Sequence, residues 1–395
     1  KATVSEHGTD TGWNSSYGDG QAVFTPSFDI RASYIIFDGV IGSSSNKTSY
    51  GFYIGKTDCT SLTYFYLMHM GQNSLSNVQI SHVAFENCGS SWDIPQYNLF
   101  FNTVAGSGCS NMTISNNYFV GANAHMRFGN WDDSTISNNY FDSNWSSALN
   151  HGAPISPSDD SDNIVIRNNF FNDSHGTSVI SVHINDNDSW KIFNNIIIGG
   201  SIQFAFGNGD SASSNVVKKF EVHHNTFVNI NFNASQGAVF VGTLTDVAND
   251  KSFAYNNLFY NCTNPRFDNN GFTSGAIVHT HNAHYNSTGI YDSSEGGTAV
   301  NTTGDPFVNS AEGNYHLKIR TKTGKVLASP YTIDKDGNTR GASVPGIWDI
   351  RDRGVYRYSP AGYSPGPSSP GPGGAVPAGS KDRRVIKIKQ TLSVQ

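Results

Sequence analysis

The chain has 395 residues, a formal net charge of -6, 14% charged and 12% aromatic residues, and 40 glycines. So few charges beside so many aromatics exclude a disordered chain and give no nucleic-acid partner. No run of about 18 apolar residues is present to cross a membrane as a helix.

In chain order, residues 1–30 are polar, carry Gly18, Asp19 and Gly20, and precede the first repeat. They read as an N-terminal cap over the open end of the repeat region. Because the first residue is Lys1 rather than Met, a removed leader and an exported protein are the expectation. Residues 31–76 hold a first coil and an aromatic excursion, Tyr50 to Tyr53 and Tyr64 to Met70. Tyr64, Tyr66 and His69 would either stack on sugars or simply serve a strand, where aromatics are favoured.

A hexapeptide then governs the chain. Ile114 to Phe119 (ISNNYF) returns as Ile136 to Phe141, Ile166 to Phe171, Ile192 to Ile197, Val222 to Phe227 and Ala254 to Phe259. Looser copies are Ile36 to Ile41 and Ile80 to Phe85, and His281 to Asn286 aligns with Asn256 to Asn261. Spacings of about 22 to 32 residues are those of a solenoid. Short runs of Ile, Val, Tyr and Phe bounded by Gly, Asn and Ser are strands rather than helices. The copies align as an inward Ile column, an inward Phe column, and between them Asn117, Asn139, Asn169, Asn195, Asn225, Asn257 and Asn282. The Asn column is expected both to make the turn and to bond up the stack as an amide ladder.

This pattern resembles the secreted right-handed parallel β-helix proteins, the pectate-lyase-like single-stranded solenoids, over roughly residues 30 to 358. Toward its C-terminal side, Asp305 to Phe307, Gly313 to Leu317, Ala328 to Pro330, Asp334 to Arg340 and Asp349 to Tyr358 are similar to the closing segment of secreted bacterial members. Ile350 to Arg353 is longer and more charged than that pattern. The resemblance implies an all-β right-handed parallel β-helix, with residues 31–358 as its body, and no single activity.

Between copies lie two clusters. Asp132, Asp162 and Asp188 sit four residues before successive inward Ile residues, with Asp160 and Asp186 two residues earlier still. Stacked carboxylates repel unless neutralised, and Ca²⁺ takes such oxygen ligands; β-helix lyases use calcium in this way, as the resemblance implies. Alternatively each Asp closes a turn on its own backbone. The second cluster is basic: His125, Arg127, His151, His175, His183 and Lys191. Aligned on the Asp column, Arg127 and His183 share a position with Pro157 between them. A lyase needs a base and a cation beside a uronate carboxylate, roles open to Arg127 with His151 or His183. No matched carboxylate pair or nucleophile elbow accompanies them, which points away from an enzyme.

Cys59, Cys88, Cys109 and Cys262 show no metal spacing. Cys88 and Cys109 flank one coil and would bond between turns, whereas Cys262 is too distant to bridge. Acceptor sequons occur at Asn14, Asn46, Asn111, Asn144, Asn172, Asn187, Asn233, Asn261, Asn286 and Asn301, several just after the Phe column where a glycan would be accessible.

Residues 359–380 are a Pro, Gly and Ser linker, extended enough to span about 60 Å. Residues 381–395 then alternate, with Ile386, Ile388, Leu392 and Val394 on one side: an amphipathic strand for docking onto a sheet edge. The leading expectation is therefore an exported subunit of an extracellular or cell-surface filament, self-associating head to tail by strand donation. A lyase or glycosidase acting on an acidic polysaccharide, and a carbohydrate-binding adhesin, are the alternatives.

Overall fold

Each ISNNYF copy folds as two strands of three or four residues joined by a corner: Thr113–Ser115 and Tyr118–Val120 in one coil, Thr135–Ser137 and Tyr140–Asp142 in the next. The computed structural model describes residues 21–24, 28–42, 45–55, 65–70, 74–87, 96–101, 108–142, 153–157, 160–172, 178–182, 186–199, 204–208, 216–232, 249–267, 277–289, 300–321, 324–340, 354 and 356.

Like residues pair across coils. Ile114 pairs with Ile80 and Ile136, Phe119 with Phe85 and Phe141, all in parallel. These registers generate an Ile sheet of nine strands and a Phe sheet of eleven. A third sheet of seven strands, here the platform sheet, and a fourth of five, the Asp sheet, complete the coil. A chain that returns to the same sheet one strand further on makes a right-handed crossover, so the molecule is a right-handed parallel β-helix. Among the described residues the only helical turns are the short 3-10 segments Lys47–Ser49 and Ser310–Glu312.

The core is the bore of this solenoid. Ile80, Ile114, Ile136, Ile166 and Ile192 are fully buried in one column. Phe85, Phe119, Phe141 and Phe171 stack at 5.0, 4.9 and 4.8 Å, close to the separation of neighbouring strands. The Ile column ends at His279, which pairs with Ala254, and the Phe column passes from Phe259 to His284 and on to Asn301. Histidines thus follow the apolar columns toward this end of the solenoid.

The corner divides its work between two adjacent residues, which corrects the single Asn column expected to do both. The first position turns the chain: His82, Asn116, Asn138, Asn168, Asn194, His224, Asn256 and His281 have φ between 55 and 60°. Side chains other than Gly, Asn or Asp pay about 1–2 kcal/mol there. The second position bonds. Asn117 donates to Asn139 Oδ1 at 3.1 Å, Asn139 to Asn169 at 3.1 Å and Asn169 to Asn195 at 3.1 Å. The ladder continues through Asn225 and Asn257 to Asn282. Each Nδ2 also reaches a carbonyl of the previous coil, as Asn139 does to Ile114 at 2.9 Å.

The first copy is shifted by one residue. Phe37, not Ile36, pairs with Ile80, and Ile54, not Ile41, pairs with Phe85. Ile36 and Ile41 are 38% and 62% exposed while Ile54 is fully buried. A one-residue slip exchanges the faces of a strand, and the excursion through Lys47–Ser49 resets it. Gly39 and Gly51 cross closely there: a Cβ on Gly51 would fall 1.8 Å from the Gly39 carbonyl oxygen.

The closing segment runs back along the side of the solenoid. Phe307, Tyr315 and Leu317 cover Ile196, Val228, Leu258 and Ala283 on the outer face of the Phe sheet. Asn256 at the corner donates to the Lys325 carbonyl at 2.8 Å and accepts the Lys325 N–H at 2.7 Å. The Tyr331 hydroxyl donates to Glu221 at 2.6 Å. Residues 1–20, the linker 359–380 and the strand 381–395 with Ile386, Ile388, Leu392 and Val394 lie outside the described residues.

The expected Cys88 to Cys109 bond is replaced by a free, buried Cys109, and Cys262 is likewise free and buried. Cys109 pairs with the fully buried Trp131 of the next coil, so its thiol packs in the bore.

Candidate functional site

The platform sheet carries the most varied outward face. Its strands Phe65–Met70, Gln96–Phe101 and Ala124–Phe128 send Met68, Leu99 and Met126 into the bore, where all three are fully buried. The residue after each points outward, giving the in-register column Asp29, His69, Phe100, Arg127 and Ser156. Tyr66 and Tyr97, paired with each other, flank it.

These side chains form one packed strip. Phe100 stacks against Tyr66 at 5.9 Å, His69 at 5.6 Å and Tyr97 at 5.1 Å. Asp29 bonds His69 Nδ1 at 3.0 Å and Arg31 at 2.6 Å, so the lower end is internally neutralised. Arg31 and His69 hold the Asp29 carboxyl below its usual range. At the upper end, Arg127 donates to the Tyr97 hydroxyl at 3.2 Å, with its guanidinium 5.7 Å from the same ring. Arg127 is half-buried and has no carboxylate within ion-pair distance among the described residues. Tyrosine orients this guanidinium without cancelling its charge, leaving its remaining donors for an anion.

Of the histidines that accompany Arg127 in sequence, His125 is described and does not face it, while His175 lies outside the described residues. His125 is wholly buried between Phe119 and Phe141, and its Nδ1 meets the Asn98 amide at 3.0 Å. Burial lowers its pKa to about 3, so it is neutral and structural. His69 has Nδ1 committed to Asp29 and Nε2 shut off from solvent. His151 and His183 lie outside the described residues. The alignment that placed Arg127 level with Pro157 is displaced by one: Arg127 pairs with Ser156, and Phe128 with Pro157. The turn from the platform sheet to the Asp sheet differs in length from coil to coil, so counting back from the Asp column accumulates error.

The Asp column itself is real. Asp132, Asp162, Asp188 and Lys218 pair in register on the Asp sheet. Its upper end is neutralised: Lys219 reaches Asp188 at 3.0 Å, and Ser189 donates to it at 2.6 Å. Burial raises the Asp188 pKa, but these donors outweigh it and the net shift is downward. Asp162 accepts the Asp188 N–H at 2.9 Å, a bond between coils. Asp132 is pushed up by burial and by repulsion from Asp133 and Asp160. Among the described residues no three His, Cys, Asp or Glu side chains converge as a metal site; the Asp186 side chain lies outside them.

Of the sequon asparagines, Asn46, Asn111, Asn261 and Asn286 are exposed. Asn172 is half-buried, with its amide donating to Asp142 at 2.9 Å. Asn14, Asn144 and Asn233, and the side chains of Asn187 and Asn301, lie outside the described residues. The sequence reading passed over Asp29, Tyr97 and Phe100. The signal was present as the outward residue between the inward pair Leu99 and Phe101, in the same alternation as His69 between Met68 and Met70.

Fold and face together define a parallel β-helix solenoid with a lateral aromatic and cationic strip. No family model matches the chain, and no curated protein matches it. Among solved structures it is similar to the pectate lyase Pel9A, at 14% identity and TM-score 0.42, covering 86% of this chain and 87% of that one. It is similar also to the Streptococcus pneumoniae surface protein and adhesin PfbA, at 13% identity and TM-score 0.42, covering 73% and 90%. An alginate lyase of the PL6 family aligns at 11% identity and TM-score 0.24, covering 77% of this chain and 51% of that one. Among the described residues no helix is long and apolar enough to cross a membrane.

Proposed function

We propose that this protein binds an acidic polysaccharide along the platform face, as a recognition module rather than a catalyst. The observation that carries the reading is Arg127, half-buried, fixed by Tyr97 and without a carboxylate partner among the described residues. A uronate carboxylate or a sulfate ester would satisfy the guanidinium through charge-assisted bonds. The aromatic strip beside it offers an apolar, polar-edged surface of the kind sugars contact. Binding is favoured over turnover because neither described histidine near Arg127 presents a free basic nitrogen to solvent. On this reading the protein works where such polymers lie, at or outside the cell surface.

The test is calorimetric titration with polygalacturonate, alginate and a sulfated glycan at low and moderate salt. At least one should bind, with affinity falling as salt rises and falling about tenfold or more in Arg127→Ala. Failure of all three to bind the wild type removes the reading. A rise in ultraviolet absorbance from unsaturated uronate would replace it with a lyase in which Arg127 neutralises the substrate carboxylate.

A further inference from the structure

Beneath the closing segment, the outer face of the Ile sheet carries Phe193, His223 and Tyr255 in register on three consecutive coils, all of them buried. Residues 324–340 lie across this column as a strap. Tyr331 stands edge-on to Phe193 at 5.0 Å and to His223 at 4.6 Å. To one side of it Lys325 sets its ammonium 3.5 Å from the centre of the Tyr255 ring, and to the other Asn194 donates to the Ile333 carbonyl at 2.8 Å. The strap is thus pinned at three points along its length.

His223 lies under the middle pin with both ring nitrogens engaged. Its Nδ1 accepts the Tyr255 N–H of the next coil at 3.2 Å, which places its own hydrogen on Nε2, 3.6 Å from Glu221 Oε2. Glu221 in turn accepts the Tyr331 hydroxyl at 2.6 Å. A neutral imidazole, with one donor and one acceptor nitrogen, fits these partners. An imidazolium is a donor at both nitrogens, so it would set Nδ1–H against the Tyr255 N–H and leave that buried amide without an acceptor.

The charged groups around the ring leave the neutral form favoured. Burial, the largest influence, outweighs the attraction of Glu221 and holds the His223 pKa below the ordinary histidine range, with Lys325 of the strap acting in the same direction as burial. Lys191, on the neighbouring strand, acts on Glu221. Burial and Glu221 push the Tyr331 hydroxyl up, so it stays a donor. His224 belongs to the corner, its Nε2 3.4 Å from the Asn256 amide. An open strap would return His223 to water and to its ordinary value of 6.5. The open form therefore takes up the proton first, and acid favours opening.

We propose that His223 is an acid-sensitive latch on the closing segment: protonation at Nδ1 expels the Tyr255 N–H and loosens residues 324–340 from the Ile sheet. The imidazolium turns toward water and Glu221, where it competes with the Tyr331 hydroxyl for the carboxylate and so releases the middle pin. The latch stands independently of Arg127, which belongs to the platform sheet.

The test is hydrogen exchange of the full chain, read by mass spectrometry at about pH 7.5 and about pH 5.5, either side of the ordinary histidine value, with rates corrected for intrinsic exchange. Exchange in the strap should rise about threefold or more on acidification, up to the roughly tenfold that one proton gives over this interval. The coil peptide 113–120 should keep its protection. In His223→Asn the side-chain oxygen can accept the Tyr255 N–H but takes up no proton, and the acid-dependent rise should vanish. Tyr331→Phe removes the bond to Glu221; its strap should exchange faster at both pH values and keep the rise. Nitrogen-15 NMR of the wild type should show His223 Nδ1 gaining its proton over the pH range in which the strap opens. A strap indifferent to acid, an equal rise in His223→Asn, or an imidazole that protonates while the strap stays protected overturns the proposal.

Discussion

Asn139 donates its side-chain amide to Asn169 across one coil at 3.1 Å, while its neighbour Asn138 holds the backbone at φ 55°. Two identical side chains, adjacent in sequence, thus do different work. Asn139→Ala strands the Asn117 N–H and the Ile114 carbonyl, both buried and both partners of Asn139. At about 1–3 kcal/mol for each orphaned group, the loss should be roughly 3 kcal/mol or more. Asn138→Gly keeps the left-handed corner without penalty and should change stability by less than about 1 kcal/mol. Urea unfolding of both variants checks this; equal losses would contradict the division of labour.

His125 sets an acid limit. Its pKa in the fold is about 3, against an ordinary value of 6.5, because burial disfavours the imidazolium. Between those values the unfolded chain binds the extra proton, so stability is fully present above pH 6.5 and is lost as pH falls toward 3. One proton gives a slope of at most about 1.4 kcal/mol per pH unit. His125→Gln should flatten the pH dependence between 6.5 and 5 by about 1–2 kcal/mol. An unchanged slope in equilibrium unfolding would show that His125 does not carry it.

The shifted first coil separates two neighbours. Phe37 is 8% exposed and packs on Phe24 and Phe52, with centroids 6.2 and 4.9 Å away, whereas Ile36 faces outward. Phe37→Ala should cost about 3–5 kcal/mol, and Ile36→Thr less than about 0.5 kcal/mol. Thermal melts of the pair decide between this register and the one that aligns Ile36 with Ile114.

Tyr97 positions Arg127 without touching the proposed ligand's charge. Tyr97→Phe keeps the ring against Phe100 but removes the hydroxyl that accepts from Arg127. Acidic-polysaccharide affinity should drop about three- to tenfold, consistent with one lost hydrogen bond of about 1 kcal/mol, while the melting temperature moves little. A large fall in stability with no change in affinity would assign Tyr97 a structural role alone.

The closing segment covers apolar surface that the coils alone leave open. A chain ending at residue 304 would expose Ile196, Val228, Leu258 and Ala283 together. Such a patch should bind a hydrophobic dye strongly and promote aggregation. A truncated chain that stayed monomeric and dye-silent would show that this cover is dispensable.

The sequence alone determined the solenoid, because its stacking repeats the same environment at every coil and so repeats the residues that suit it. Ile114, Phe119 and Asn117 are legible as columns for that reason, and Asp132, Asp162 and Asp188 as a fourth. What only the tertiary structure decided depends on lengths and directions that leave no periodic trace. The displaced register at Phe37 follows from an irregular excursion, and the pairing of Arg127 with Ser156 from turns of unequal length. The return of Tyr315 and Tyr331 along the flank joins residues 110 positions apart in the case of Tyr331 and Glu221. No repeat encodes such a contact, because it is made once, between a coil and a segment outside the repeat.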